Sequence, residues 1–447
     1  MPIYEIKDGI AIIPKGTTEI AERAFYGCYE LTSIVIPDSV TKIGDYAFYG
    51  CYRLTNIVIP GSVTKIGNGA FCECDGLTNI LMPNSVTKIS EHAFHRCYGL
   101  TSIVIPDSVT EIGNSAFYGC SGLTNIVIPN SVTRIDDYAF RGCSGLTSIV
   151  IPDSVTEIGN SAFYGCSGLM NLVIPNSVNK IGSALFYGCS RLASIKVADN
   201  NKVYDSRDKS NAIIETQTNT LISGISATVI SNSVTKIGRL AFYGCCELTS
   251  IVIPNSVTEI GNSAFDGCSG LTSIVIPDSV TEIGYDAFHG CSRLSGIIVA
   301  DGNKVFDSRD NCNAIIKTQE NILIFGFSMT VIPDSVTKIG NSAFYECSRL
   351  TSIVIPDSVT EIGYNAFYGC SRLMNIVIPK SVTKIGKWAF SRCSSMWSIV
   401  LPDSVTKIGA SAFYRCFEGM RILVPVGKAE YYKELLPAYL HDKINEF

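Results

Sequence analysis

The sequence predicts a repeat solenoid: mostly β and irregular chain, one long parallel β-sheet built a short strand per coil, short helical turns, and a helical C-terminal cap. Three observations carry this. Cysteines stand at one constant spacing at Cys28, Cys51, Cys74, Cys97, Cys120, Cys143, Cys166 and Cys189, and the spacing resumes at Cys245, Cys268, Cys291 and at Cys347, Cys370, Cys393, Cys416. A phenylalanine stands just before each, from Phe25 to Phe413. Nearly every 23-residue unit opens on Leu-x-x-Ile-x-Ile, as in 146–168, LTSIVIPDSVTEIGNSAFYGCSG. Self-similarity at this period marks an array in which each unit buries its apolar face against its neighbours.

Within that unit, Leu146-x-x-Ile149-x-Ile151 has the spacing of a short strand with alternate side chains buried. Pro152 lacks an N–H and ends the ladder. Asp153 and Ser154 suit a turn through side-chain to backbone hydrogen bonds. Val155–Ile158 reads as a second short extended segment on the opposite side of the coil. Gly159 turns the chain, and Ala162-Phe163 is expected to form one helical or 3₁₀ turn that inserts its ring into an aromatic spine. The apolar period alone also fits a parallel β-helix, but the Leu-x-x-Ile-x-Ile start favours a leucine-rich-repeat horseshoe.

The full pattern, Leu-x-x-Ile-x-Ile-Pro-x-x-Val-x-x-Ile-x-x-x-Ala-Phe-x-x-Cys, resembles the BspA-like, treponemal-type leucine-rich repeat over about residues 8–425. The resemblance implies a non-enzymatic protein-recognition scaffold, bacterial or protozoan, with adhesin-like binding of host or matrix protein at a cell surface.

Composition narrows the alternatives. The 447 residues are 46% hydrophobic and 17% charged, which excludes a disordered chain. A net charge of −5 argues against a nucleic-acid partner, which would need clustered Lys and Arg. No stretch nears 18 uncharged apolar residues, so no membrane insertion is expected. The start, MPIYEIKDGIAIIP, has no basic region followed by an apolar one. The cytoplasm is therefore the direct expectation for a complete chain, and the surface or secreted state is the one the resemblance implies. Fifteen of the 18 cysteines share one repeat position. Stacked coils lie about 4.8 Å apart with parallel side chains, the wrong geometry for bridges, so a ladder of reduced thiols is expected. Cys72, Cys246 and Cys312 lie off the ladder and are the expected reactive thiols.

Seven segments follow along the chain: an N-terminal capping coil at 1–30, 23-residue units at 31–191, a 33-residue unit at 192–224, further 23-residue units at 225–293, a second 33-residue unit at 294–326, 23-residue units at 327–425, and a helical cap at 426–447. The long units match each other and suggest small hairpins whose polar turns fall at Gln217–Asn219 and Gln319–Asn321. At the N-terminus, Asp8 and Ala11 replace core residues, as expected where a coil faces water. Tyr431, Leu435, Leu436 and Leu440 are expected to fold over the C-terminal end.

Residues between buried strand positions should face outward in two rows. One is apolar: Val35, Val58, Val104, Val127, Val150, Val173, Val252, Val275, Val354 and Val377, with Leu81 and Val400 in the same column. The other is small and polar: Ser102, Asn125, Ser148 and Asn171. An apolar stripe beside small polar groups suits a protein partner, and its monotony suits an extended or repetitive one. Tyrosines after the spine phenylalanine, such as Tyr26, Tyr49, Tyr164 and Tyr187, are expected to stack along the coil edge. Lys88, Glu111, Arg134, Glu157 and Lys180 form a column of alternating sign, expected to pair laterally for a few tenths of a kcal/mol each. Asp205-Ser206-Arg207-Asp208 and Asp307-Ser308-Arg309-Asp310 lack the regular oxygen series of a cation loop and read as turns. The four histidines, His92, His95, His289 and His441, are scattered, and no catalytic, metal or cofactor site is expected. A monomer is expected rather than an oligomer; the alternative is a structural or self-associating solenoid inside the cell.

Overall fold

Successive coils stack in register because each donates its backbone and hydroxyl groups to a neighbour. The structure, a computed structural model, describes residues 4–447; residues 1–3 of the expected capping coil lie outside them. The chain is a β-solenoid of about 19 turns, mostly strand and irregular chain with few helices. It divides into two compact units, one of residues up to Ser231 with Gly238–Cys245, the other of Asn232–Ile237 with Cys246–Phe447.

In the first unit, the front of each coil carries a short strand: Ser33–Val35, Asn56–Ile57, Asn79–Leu81 and Ser102–Val104, then Asn171–Ile174 and Ser194–Val197. Neighbours pair in parallel one repeat apart, as Ser102 with Asn79 and Val104 with Leu81. The ladder is not continuous: Val104, Val127 and Val150 are linked only by single bridges. The proline that follows all but the last of these strands has no N–H to extend the pairing. A second column of two-residue strands, from Lys88–Ile89 through Glu111–Ile112, Arg134–Ile135 and Glu157–Ile158 to Lys180–Ile181, runs on the other side. Hydroxyls reinforce it: Ser154 Oγ donates to the Val132 carbonyl at 2.7 Å, and Thr156 Oγ1 to that of Thr133 at 3.2 Å.

The Ala-Phe segment differs from expectation. It is a run of β-turns rather than a helical turn. Residues before the alanine sit at positive φ, as Tyr138 at 58° and Ser161 at 52°, which an α-helix forbids. Backbone donors alternate in direction: Arg141 and Cys143 bond back to Tyr138 and Phe140 in their own turn, whereas Tyr138, Phe140 and Gly142 bond forward to Asn160, Ala162 and Tyr164 in the next coil. The rings then stack nearly parallel, from 5.2 Å between Phe25 and Phe48 to 6.5 Å between Phe163 and Phe186. Gly159 serves close approach rather than an unusual φ, since a Cβ there would stand 2.4 Å from the Asp137 amide nitrogen.

The second unit repeats this construction, with Phe344, Phe367 and Phe390 stacked at 4.9 and 5.2 Å. Each unit holds one long coil. In the first, Tyr204–Asp205, Ala212–Glu215 and Thr220–Gly224 form an antiparallel three-stranded insert; in the second, Phe306–Asp307, Ala314–Lys317 and Ile322–Gly326 do so. Asn219 and Asn321 take the left-handed position of the hairpin turns, at φ 53° and 52°. The acidic motifs are turns: Arg207 pairs with Asp205 at 2.6 Å and Arg309 with Asp307 at 2.5 Å. Each insert ends on glycine because a ring lies over it. A Cβ on Gly224 would meet Phe242 at 2.3 Å, and one on Gly326 would meet Phe344 at 2.1 Å.

Both ends are closed. Ile6–Lys7 folds antiparallel on Ile10–Ile12, and the Tyr4 ring stacks 5.4 Å from Phe25. Ala11 does not face water as expected: it pairs with Ile6 and Ile34 in the sheet and is completely buried in the core. At the other end, the helix Ala429–Leu435 buries Tyr432, whose hydroxyl donates to the Pro402 carbonyl, while Tyr431 donates to that of Val405 at 3.0 Å. Leu436 and Leu440 are buried and Leu435 packs beside them. Ile444–Glu446 then pairs in parallel with Arg421–Val424 and completes the sheet.

Replacing Phe140 with alanine is expected to cost about 3–5 kcal/mol, read as a lower urea midpoint by circular dichroism. A loss under about 1 kcal/mol would show that the stack is not what holds these coils.

Candidate functional site

The middle residue of each Ile-x-Ile strand has nowhere to go but outward, since its two neighbours fill the core. Val35, Val58, Val104, Val127, Val150, Val173, Val252, Val275, Val354 and Val377 are all exposed, between 52% at Val275 and 83% at Val354. Leu81 is exposed with them, and Val400 is half-buried. In the first unit Leu81, Val104, Val127 and Val150 are direct cross-strand neighbours, and Ser102, Asn125, Ser148 and Asn171 lie exposed just upstream in the same column. The row starts earlier than expected, at Ile12 against Val35, and meets a charge where Lys196 stands beside Val173. In the second unit Ile298 extends it beside Val275, and Val331 occupies the same column. Val331 could have been found from its place just ahead of the Ile-Pro that closes the strand; Ile298 has no proline after it. Such a row offers apolar area that is cheap to desolvate, with hydroxyl and amide groups alongside for hydrogen bonds.

Polar residues elsewhere are mostly consumed by the stacking. Tyr26 and Tyr49 stack at 4.6 Å, Tyr164 and Tyr187 at 4.2 Å, and Tyr345 and Tyr368 at 4.8 Å. Lys88 pairs with Glu111 at 3.1 Å and Lys180 with Glu157 at 2.5 Å, the lysines well exposed to solvent and the carboxylates half-buried, pairs that are worth little to stability.

The ladder cysteines are free thiols with a specific partner. Cys97 Sγ donates to the Phe71 carbonyl of the preceding coil at 3.0 Å, and Cys120 repeats the bond to Phe94 at 3.0 Å. Burial pushes the Cys51 thiol up to about 12. Sequence reasoning treated this position as a small apolar filler and missed the bond, for which cysteine is both small enough and a donor. The expectation for Cys72 and Cys312 is corrected, because both are buried. Cys72 Sγ lies 3.6 Å from His95 Nδ1. Burial raises that thiol to about 12, and burial with the charges of His92 and Arg96 lowers His95 to about 4, so the two meet as neutral groups rather than as a thiolate–imidazolium pair. Cys246 is exposed. Among the described residues no cluster of His, Cys, Asp or Glu has a metal-binding arrangement, and no helix is long and apolar enough to cross a membrane.

A profile described as the BspA type leucine rich repeat region, in six copies, matches residues 10–124, 110–233, 213–318 and 325–428. Among solved structures, a leucine-rich repeat protein from Eubacterium ventriosum is similar at 25% identity, covering 76% of this chain and 83% of that one, with a TM-score of 0.53. One from Bacteroides ovatus shares 28% identity over 93% of this chain and 83% of its own, with a TM-score of 0.48. A leucine rich cell surface protein from Faecalibacterium prausnitzii shares 27% over 96% and 91%, with a TM-score of 0.43. Among curated proteins nothing matches the chain.

The thiol ladder should make the fold sensitive to alkali. A thiol whose pKa is raised on folding stabilises fully below its unfolded value near 9, and that contribution is lost as pH climbs toward the folded value near 12. The melting temperature is expected to fall steadily between pH 8.5 and 11 by calorimetry; a flat profile would contradict the buried ladder.

Proposed function

The chain belongs to the BspA-type leucine-rich repeat family, and on that footing we propose that it is a non-enzymatic protein-recognition scaffold that binds an extended or repetitive protein along the valine row. Leucine-rich-repeat proteins generally bind proteins, and the family and fold are typically non-enzymatic. The single observation that carries the reading is the register: Leu81, Val104, Val127 and Val150 are successive cross-strand neighbours, each more than half exposed. One side chain buries too little area for affinity, but a row of equivalent sites binds an equally spaced partner with avidity. The partner is a protein, with no cofactor and no nucleic acid involved, and the scaffold acts as a monomer. Proteins of this family are often surface-exposed or secreted, which supports the finer reading of adhesion to a host or matrix protein.

The test compares three immobilised chains: the unaltered one, V104K/V127K/V150K, and a control, D107K/N130K/D153K, with the same number of lysines in exposed turns off the sheet. Proteins captured by the first and third are expected to weaken at least tenfold, about 1.4 kcal/mol, on the second. Equal capture by all three would exclude the stripe. Light scattering across a concentration series is expected to give one monomer mass; growth with concentration would favour self-association instead.

A further inference from the structure

In the second unit the back column of short strands stops at Glu282–Ile283. That strand pairs on one side only, with Glu259–Ile260, and the next sheet begins at Phe306–Asp307 of the long coil. In coils with a successor, the isoleucine of this column lends its carbonyl to an amide of the next coil: Ile112 to Asp136 at 2.9 Å, Ile260 to Gly284 at 2.7 Å, Ile339 to Gly363 at 2.9 Å. Among the described residues no backbone amide bonds the Ile283 carbonyl. Ile260 and Ile339 are completely buried, whereas Ile283 is only partly so.

The missing neighbour leaves room. A cleft of about 580 Å³, within the usual range for ligand sites, is lined by Glu282, Ile283 and Asp286 and by Phe306, Ile322 and Ile324, with Lys304, Lys317 and Lys338 at its margin, of which Lys317 is held by Glu320 at 3.2 Å and Lys338 by Glu361. The segment 281–284 spans roughly 13 Å of edge, which suits a peptide of about the same length.

The column's own chemistry says what would complete it. Glu361 is flanked by Lys338 at 3.0 Å and Lys384 at 2.6 Å, and Glu259 is paired with Lys236 at 2.8 Å. Glu282 instead stands in register beside Glu259 and has no ion pair among the described residues, nor has Asp286 in the same cleft. A basic residue stands in register after Glu19, Glu111, Glu157 and Glu361, as in Thr-Lys-Ile-Gly at 383–386 after Glu361–Ile362; among the described residues only Glu259 is followed by another acid, Glu282. In the first unit the corresponding edge, Lys180–Ile181, ends on a lysine already held by Glu157.

We propose that this cleft is a strand-addition site for an extended peptide of a partner protein, whose basic residue pairs with Glu282 and whose following β-branched residue extends the Ile283 column. Main-chain bonds to the open edge supply affinity, and the Glu282 carboxylate supplies selectivity for a basic side chain. The site is separate from the valine row, so the two readings stand or fall independently.

Two peptides from the chain's own repeat test it: acetylated, amidated and fluorescently labelled SVTKIGN (62–68) and SVTEIGN (154–160). Titrated with the full chain, SVTKIGN is expected to give saturable fluorescence polarisation, and SVTEIGN to bind on the order of tenfold more weakly, because it brings a like charge to Glu282. E282K is expected to reverse the preference, E282Q to abolish it, and V104K/V127K/V150K to leave it unchanged. A reversal cannot come from a misfolded variant. Equal binding of the two peptides, no binding of either at millimolar concentration, or a preference that survives E282K would each overturn the proposal.

Discussion

Each coil leaves its turn segment half bonded, and only the next coil can finish it. Tyr138, Phe140 and Gly142 send their amides forward to Asn160, Ala162 and Tyr164, while the Phe117 carbonyl waits for the Cys143 thiol at 3.1 Å. A buried backbone group without a partner is costly, so a coil shifted by a single position would orphan several at once. This fixes the register between coils, and the register fixes the rest. Rings must stack on rings, Gly159 must lie flat against Asp137, and alternate strand residues must go in or out together.

That division decides what remains for recognition. Positions facing a neighbouring coil are spent on Phe, Cys, Ala, Gly and the Ser and Thr hydroxyls that bond across coils. Positions facing solvent on the front strands are free, and there the chain repeats valine rather than charge. The long coils alter the pattern from within. Their three-stranded inserts interrupt the back column, and in the second unit they leave a Glu-Ile edge without the basic strand that follows most such edges elsewhere. One repeat rule thus produces both a uniform row and a local exception to it.

Much of this was legible in the sequence because periodicity reports burial directly. The phenylalanine stack, the unbridged thiols, the outward valines and the hairpins of the long coils all follow from spacing. The turn conformation did not, because its left-handed position is filled by Tyr138, Ser161, His92 or Trp388, none of which signals positive φ. Cys72 looked free because it lies off the ladder, yet it fills the edge position where His95 packs on it. Ala11 looked exposed because the strand that pairs with it, Ile6–Lys7, comes before the first full repeat. The closing strand Ile444–Glu446 carries a single apolar residue, too short a signal for any pattern. The valine row was legible as an exposed surface; its partner was not, since equivalent side chains carry no individual address.

The most direct test of this account is native-state hydrogen exchange at the turn amides. Tyr138, Phe140 and Gly142 lie in irregular chain, where exchange is ordinarily fast. If intercoil bonds hold the fold, these three amides exchange only through cooperative opening of their unit, as slowly as the buried Ile135 amide beside them. Exchange at turn-like rates while Ile135 stays protected would contradict it.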